Sequence, residues 1–60
     1  MSLAVRAWRL REAAREALAA GQLEQAGRYA QEAQAVQWTQ AGEVLFKLSM
    51  WLAQPLPQDS

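Results

Sequence analysis

Apolar positions recur along this chain at steps of three and four, a spacing that predicts helices throughout and no strand. Leu3, Ala7, Leu10, Ala14, Ala17 and Leu18 form one face of a first helix, Ser2–Ala20. Ser2 is placed to cap its N-terminus. Arg9, Glu12 and Glu16 lie off that face, and so does Trp8, beside Arg11 and Arg15. A second series, Leu23, Ala26, Tyr29, Ala30, Ala33 and Val36, predicts a helix over Gln22–Val36. Its outer face carries Glu24, Arg28 and Glu32 at four-residue steps, alternating in sign. The third helix, Gln40–Ala53, follows Thr39 as N-cap, and Pro55 disfavours helix at Gln54.

The third helix has two apolar sides. Ala41, Val44, Leu45, Leu48, Trp51 and Leu52 form a full face, expected to cover the first two helices. Phe46, Met50 and Ala53 form a second stripe across a polar strip that holds Glu43 and Lys47, a favourable i,i+4 pair.

The stretch Ala17–Ala33, ALAAGQLEQAGRYAQEA, decides between a rod and a hairpin. Gly21 falls where the first apolar series stops and before the second begins in a new phase. Glycine is favoured just past a helix C-terminus because it takes positive φ without a Cβ clash. A hairpin is therefore expected, with Gly27 inside the second helix. Alanine on the facing sides allows the two axes to approach near the short end of the usual 8–10 Å.

With these breaks, 1–54 reads as one three-helix domain and 55–60 as a flexible tail. The whole chain has 60 residues, too few for a large core, since a domain of this size buries only about 60% of its unfolded surface. It has no cysteine or histidine, which excludes disulfides and cysteine/histidine zinc sites. Tight helix packing and self-association are the remaining sources of stability. Six basic and six acidic residues cancel, so no global field attracts nucleic acid. No apolar run reaches the roughly 20 residues of a membrane span. Arg6, Arg9 and Arg11 interrupt the N-terminal apolar positions, unlike a signal peptide. A cytoplasmic protein is the expectation.

A helix, a glycine turn, then Leu-x-x-Ala resembles a tetratricopeptide repeat (TPR) over Leu10–Trp38. Leu10 takes the tryptophan position, Ala13 and Ala14 the Leu-Gly pair, and Ala17 the first aromatic position. Gly21 takes the turn, Leu23 follows it, Ala26 is the signature alanine, Ala30 the next aromatic position, and Ala33 the small residue beyond. The chain departs from the pattern with alanine at both aromatic positions and Trp38 at the closing proline. The resemblance implies an antiparallel helical hairpin, one partial repeat followed by a third helix. The family's concave peptide groove needs several stacked repeats. Three-helix modules of the microtubule-interacting-and-transport type are also similar, though no motif selects them.

Catalysis has few groups to work with. Asp59, in the tail, is the only aspartate, and Ser2, Ser49 and Ser60 have no candidate base near in sequence. Gly21, Gly27 and Gly42 are too widely spaced for a phosphate loop. No enzyme, metal or cofactor is expected, and no small-molecule substrate. The expected function is protein–protein interaction, with self-association through the third helix and an interface of Trp38, Phe46, Met50 and Trp51. Large exposed apolar patches mark such sites. The alternative is a small nucleic-acid-associated regulator, with Arg6, Arg11 and Arg15 contacting an anionic partner and Trp8 stacking on it. Against it, Glu12 and Glu16 dilute the charge, and a solvated face with Trp8 under arginine stems explains the same residues.

Overall fold

The computed structural model describes residues 2–55. Apart from Pro55, the expected tail lies outside the described residues. Three helices follow in order: α1 (Leu3–Ala19), α2 (Leu23–Val36) and α3 (Gln40–Ala53). The protein is an all-α three-helix bundle.

Local chemistry sets each boundary. The Ser2 Oγ accepts from the Val5 N–H at 3.2 Å and caps α1. At the other end Gly21 has φ of 77°. Its N–H donates to the Leu18 carbonyl at 3.1 Å, and the Gln22 N–H donates to the Ala17 carbonyl at 2.8 Å. These two bonds make a Schellman motif, which closes a helix and turns the chain back. At α3 the Thr39 Oγ1 accepts from the Gly42 N–H at 3.0 Å.

The middle helix, α2, packs against both others, while α1 and α3 touch little. Both neighbours run antiparallel to it. Ala13 and Ala17 of α1 lie beside Tyr29 and Gln25 of α2 in reversed order around one shallow hollow. Gly27 lies against Ser49 and Met50, while Gln34, two turns on, meets Gly42 at the start of α3.

The packed interior is made of small residues. Ala7, Ala14, Ala26, Ala30 and Ala33 are fully buried, and the largest fully buried side chain among the described residues is Ser49. Its hydroxyl bonds back to the Leu45 carbonyl at 2.9 Å, so it is buried without an orphaned donor. Where the three helices meet, Ala14, Ala30 and Leu45 form a cluster, with Leu18, Tyr29 and Phe46 packed on it.

The rotation of α3 corrects the sequence reading. The face expected to cover the hairpin points outward: Val44 is 63% exposed and Trp51 69%, and Leu48, Leu52 and Ala41 are exposed too. Only Leu45 of that series is buried. The side that enters the bundle is Gly42, Leu45 and Ser49, with Phe46 half-buried beside them. The reason is steric. The α2 surface is nearly flat, built of Gly27, Ala30 and Ala33. A Cβ on Gly27 would sit 3.6 Å from the Met50 Sδ and 4.0 Å from the Ser49 Cβ. Small residues on both helices let the axes approach closely and gain dispersion contacts along the backbone. A ridge of valine, leucine and tryptophan would hold them apart.

Candidate protein-interaction surface

The outward rotation leaves a ridge on α3. Ala41, Val44, Leu48 and Trp51 recur at alternating steps of three and four, the spacing of a helix–helix seam. Leu52 lies alongside, exposed. At about 100° per residue these side chains share one side of the helix, roughly a third of a turn from the face that Gly42 and Ser49 bury against α2. Lys47 flanks the ridge on the solvent side. The larger apolar residues of α3 thus lie mostly outside the bundle, and the small ones lie inside.

The four residues expected to form one interface are separated by the structure. Trp51 stands on the ridge. Met50, 48% exposed, lies over Gly27 in a shallow groove between α2 and α3 that Leu23, Ala53 and Pro55 also line. Phe46, expected to be exposed, is half-buried and packs against the cluster of Ala14, Ala30 and Leu45 at the three-helix junction, where it supports the fold. Trp38 has an exposed ring, but its indole N–H donates to the Glu43 Oε2 at 2.9 Å. It precedes the N-cap and meets the fourth residue of the helix, the two positions of a hydrophobic staple, here joined by a hydrogen bond. Trp38 therefore fixes the start of α3.

The basic face of α1 is divided in the same way. Arg6 and Trp8 are two residues apart, about 200° around the helix, and do not share a side. Arg11 Nη1 donates to the Gln37 carbonyl at 3.5 Å, a cation at the C-terminus of α2 where the helix dipole favours it. Arg15 pairs with Glu12 at 2.6 Å. Two of the three arginines proposed to meet an anion are thus engaged within the chain.

Ala41, Val44, Leu48 and Leu52 stand exposed with Trp51, although apolar periodicity assigned that whole face to the interior. The signal that separates the two sides was residue size: Gly42 and Ser49, seven apart, match the glycine and alanine of α2. Among the described residues no three potential acidic, histidine or cysteine ligands cluster, and no helix is long and apolar enough to cross a membrane. Compared with known proteins, the chain matches no family model, no curated sequence and no solved structure.

Proposed function

We propose that this chain is a small non-catalytic protein–protein interaction module that self-associates through α3. One observation carries the reading. A helix of 14 residues exposes valine, two leucines and tryptophan on one side while the bundle interior is filled with alanine. Contiguous apolar surface of this kind on a small domain marks a docking site. Burying it would supply the large-residue packing that the alanine interior lacks.

The TPR-like reading of the hairpin points the same way. In that frame α1 and α2 are one repeat and α3 stands where the first helix of a following repeat would be. Each unit of such an array buries its apolar face only by stacking on a neighbour. The ridge of α3 is then the surface left for the next helix.

Sedimentation of the wild type from low to high micromolar concentration tests this. The expected result is a concentration-dependent rise above the mass of one chain, abolished by Leu48→Glu with helicity retained. A folded monomer throughout that range would refute the self-association.

A further inference from the structure

We infer that Met50 is an oxidation site, and that its conversion to the sulfoxide by a hydroperoxide releases the end of α3 from α2. The inference stands apart from the proposed self-association, because it concerns contacts within one chain.

The first argument is where the sulfur sits. Gly27 is buried in α2 and has no side chain, and the Met50 Sδ lies over it, 3.6 Å from the point that a Cβ would occupy. The neighbouring contact on Gly27 comes from Ser49, a small residue. The other large apolar side chains at this end of α3, Leu48, Trp51 and Leu52, are exposed on the ridge. Met50 is therefore the large side chain that holds the end of α3 on α2. The first half of the helix has anchors of its own, buried Leu45 and half-buried Phe46 at the three-helix junction.

The second argument is access. Met50 is half-exposed and lines the open groove with Leu23, Ala53 and Pro55, so a small oxidant reaches it without unfolding the chain. The exposed Glu24 and Arg28 form the polar rim of that groove. The chain has no cysteine to compete for the oxidant, and its other methionine is Met1.

Hydrogen peroxide transfers one oxygen atom to a thioether. The O–O bond breaks, an S–O bond forms, the sulfur is oxidised by two electrons, and the second oxygen leaves as water with both protons. A flexible apolar side chain becomes a polar one. Its new oxygen needs a hydrogen-bond donor, and the Gly27 N–H is already bonded within α2. The sulfoxide therefore turns toward water and the Arg28 guanidinium at the rim, and the contact over Gly27 is lost.

Mild peroxide treatment at low micromolar protein tests this, with peptide mass locating the added oxygen on Met50. Hydrogen exchange at the amides of 50–53 should then quicken about five- to tenfold, the lower part of the range for a polar group set against an apolar surface, while the centre of α2 keeps its protection. Met50→Leu, a volume-conserving swap, should exchange like the wild type and lose the response to peroxide. Met50→Gln, polar and of similar length, should exchange fast without any oxidant. Methionine sulfoxide reductases of both stereospecificities, supplied with a thiol reductant, should restore slow exchange. Sulfoxide at Met50 with unchanged exchange would overturn the inference. A peroxide response that persists in Met50→Leu, or exchange that stays fast after the sulfoxide is reduced, would trace the effect to another residue and overturn it too.

Discussion

The Gln34 carboxamide brackets the backbone of Thr39. Its Oε1 accepts from the Thr39 N–H at 3.1 Å, and its Nε2 donates to the Thr39 carbonyl at 3.0 Å. One side chain near the end of α2 thus satisfies both polar groups of the residue that caps α3, in the way a neighbouring strand would. The Thr39 hydroxyl then caps the helix itself. This pair ties the end of α2 to the start of α3.

Removing the bracket should loosen α3 as a unit. Gln34→Ala leaves the Thr39 amide without its partner and should cost about 1–3 kcal/mol. Gln34→Glu keeps an acceptor but turns a carboxylate oxygen toward the Thr39 carbonyl, so it should cost at least as much. Urea denaturation followed by helical circular dichroism measures both, and an unchanged midpoint for Gln34→Ala would show that the bracket contributes nothing.

The same substitution should have opposite signs at two glycines. A Cβ on Gly42 would collide with the Gln34 Oε1 and come within 2.9 Å of its Cδ and 3.0 Å of the Thr39 Oγ1. Those atoms are held by hydrogen bonds and cannot give way freely. Gly42→Ala should therefore destabilise, despite the roughly 1 kcal/mol gained when alanine replaces glycine in a helix. In a Gln34→Ala background the penalty should shrink, which a double-mutant cycle measures. At Gly27 the added methyl meets only ordinary van der Waals contacts, so Gly27→Ala should raise stability by up to about 1 kcal/mol.

Gly21→Ala tests the hairpin turn. At a φ of 77° alanine places its Cβ against the carbonyl, a cost of about 1–2 kcal/mol. Gly21→Asn should cost less, because asparagine tolerates that region. Thermal melts rank the three proteins, and equal stability would mean that the turn relaxes to another conformation.

Folding and association should separate on α3. Phe46→Ala removes a half-buried ring from the three-helix junction and should cost about 2–4 kcal/mol of stability, near the lower part of the usual range for a buried phenylalanine. Trp51→Ala, on the exposed ridge, should leave helicity near wild type at low concentration and weaken self-association. Denaturation and sedimentation on the same two variants check this, and a large loss of monomer stability from Trp51→Ala would place that ring in the fold.

The helix ends were legible because each depends on local chemistry: a serine cap, a glycine turn, a threonine cap and a following proline. The alanine face of α2 was legible too, since its periodicity and its burial coincide. The rotation of α3 was not. Its apolar side and its small side lie about a third of a turn apart, and hydrophobicity weights valine and tryptophan far above glycine and serine. What decided the packing was the flatness of Gly27 and Ala30 opposite, a property of another helix. For the same reason Phe46 and Val44 exchanged roles: the half-buried ring reads as surface in the pattern, and the exposed valine reads as core. Trp38 was legible as an exposed aromatic, but its bond to Glu43 depends on the path of a loop that periodicity does not describe.

An interior of alanine methyls also shapes the calorimetry of the chain. The heat-capacity increment on unfolding follows the apolar area that becomes hydrated. With Ala7, Ala14, Ala26, Ala30 and Ala33 as its most buried apolar groups, the lone bundle exposes little new hydrocarbon when it melts. Its stability curve should be shallow and its transition broad. Pairing of the ridges would couple unfolding to dissociation, so the melting temperature would climb with protein concentration.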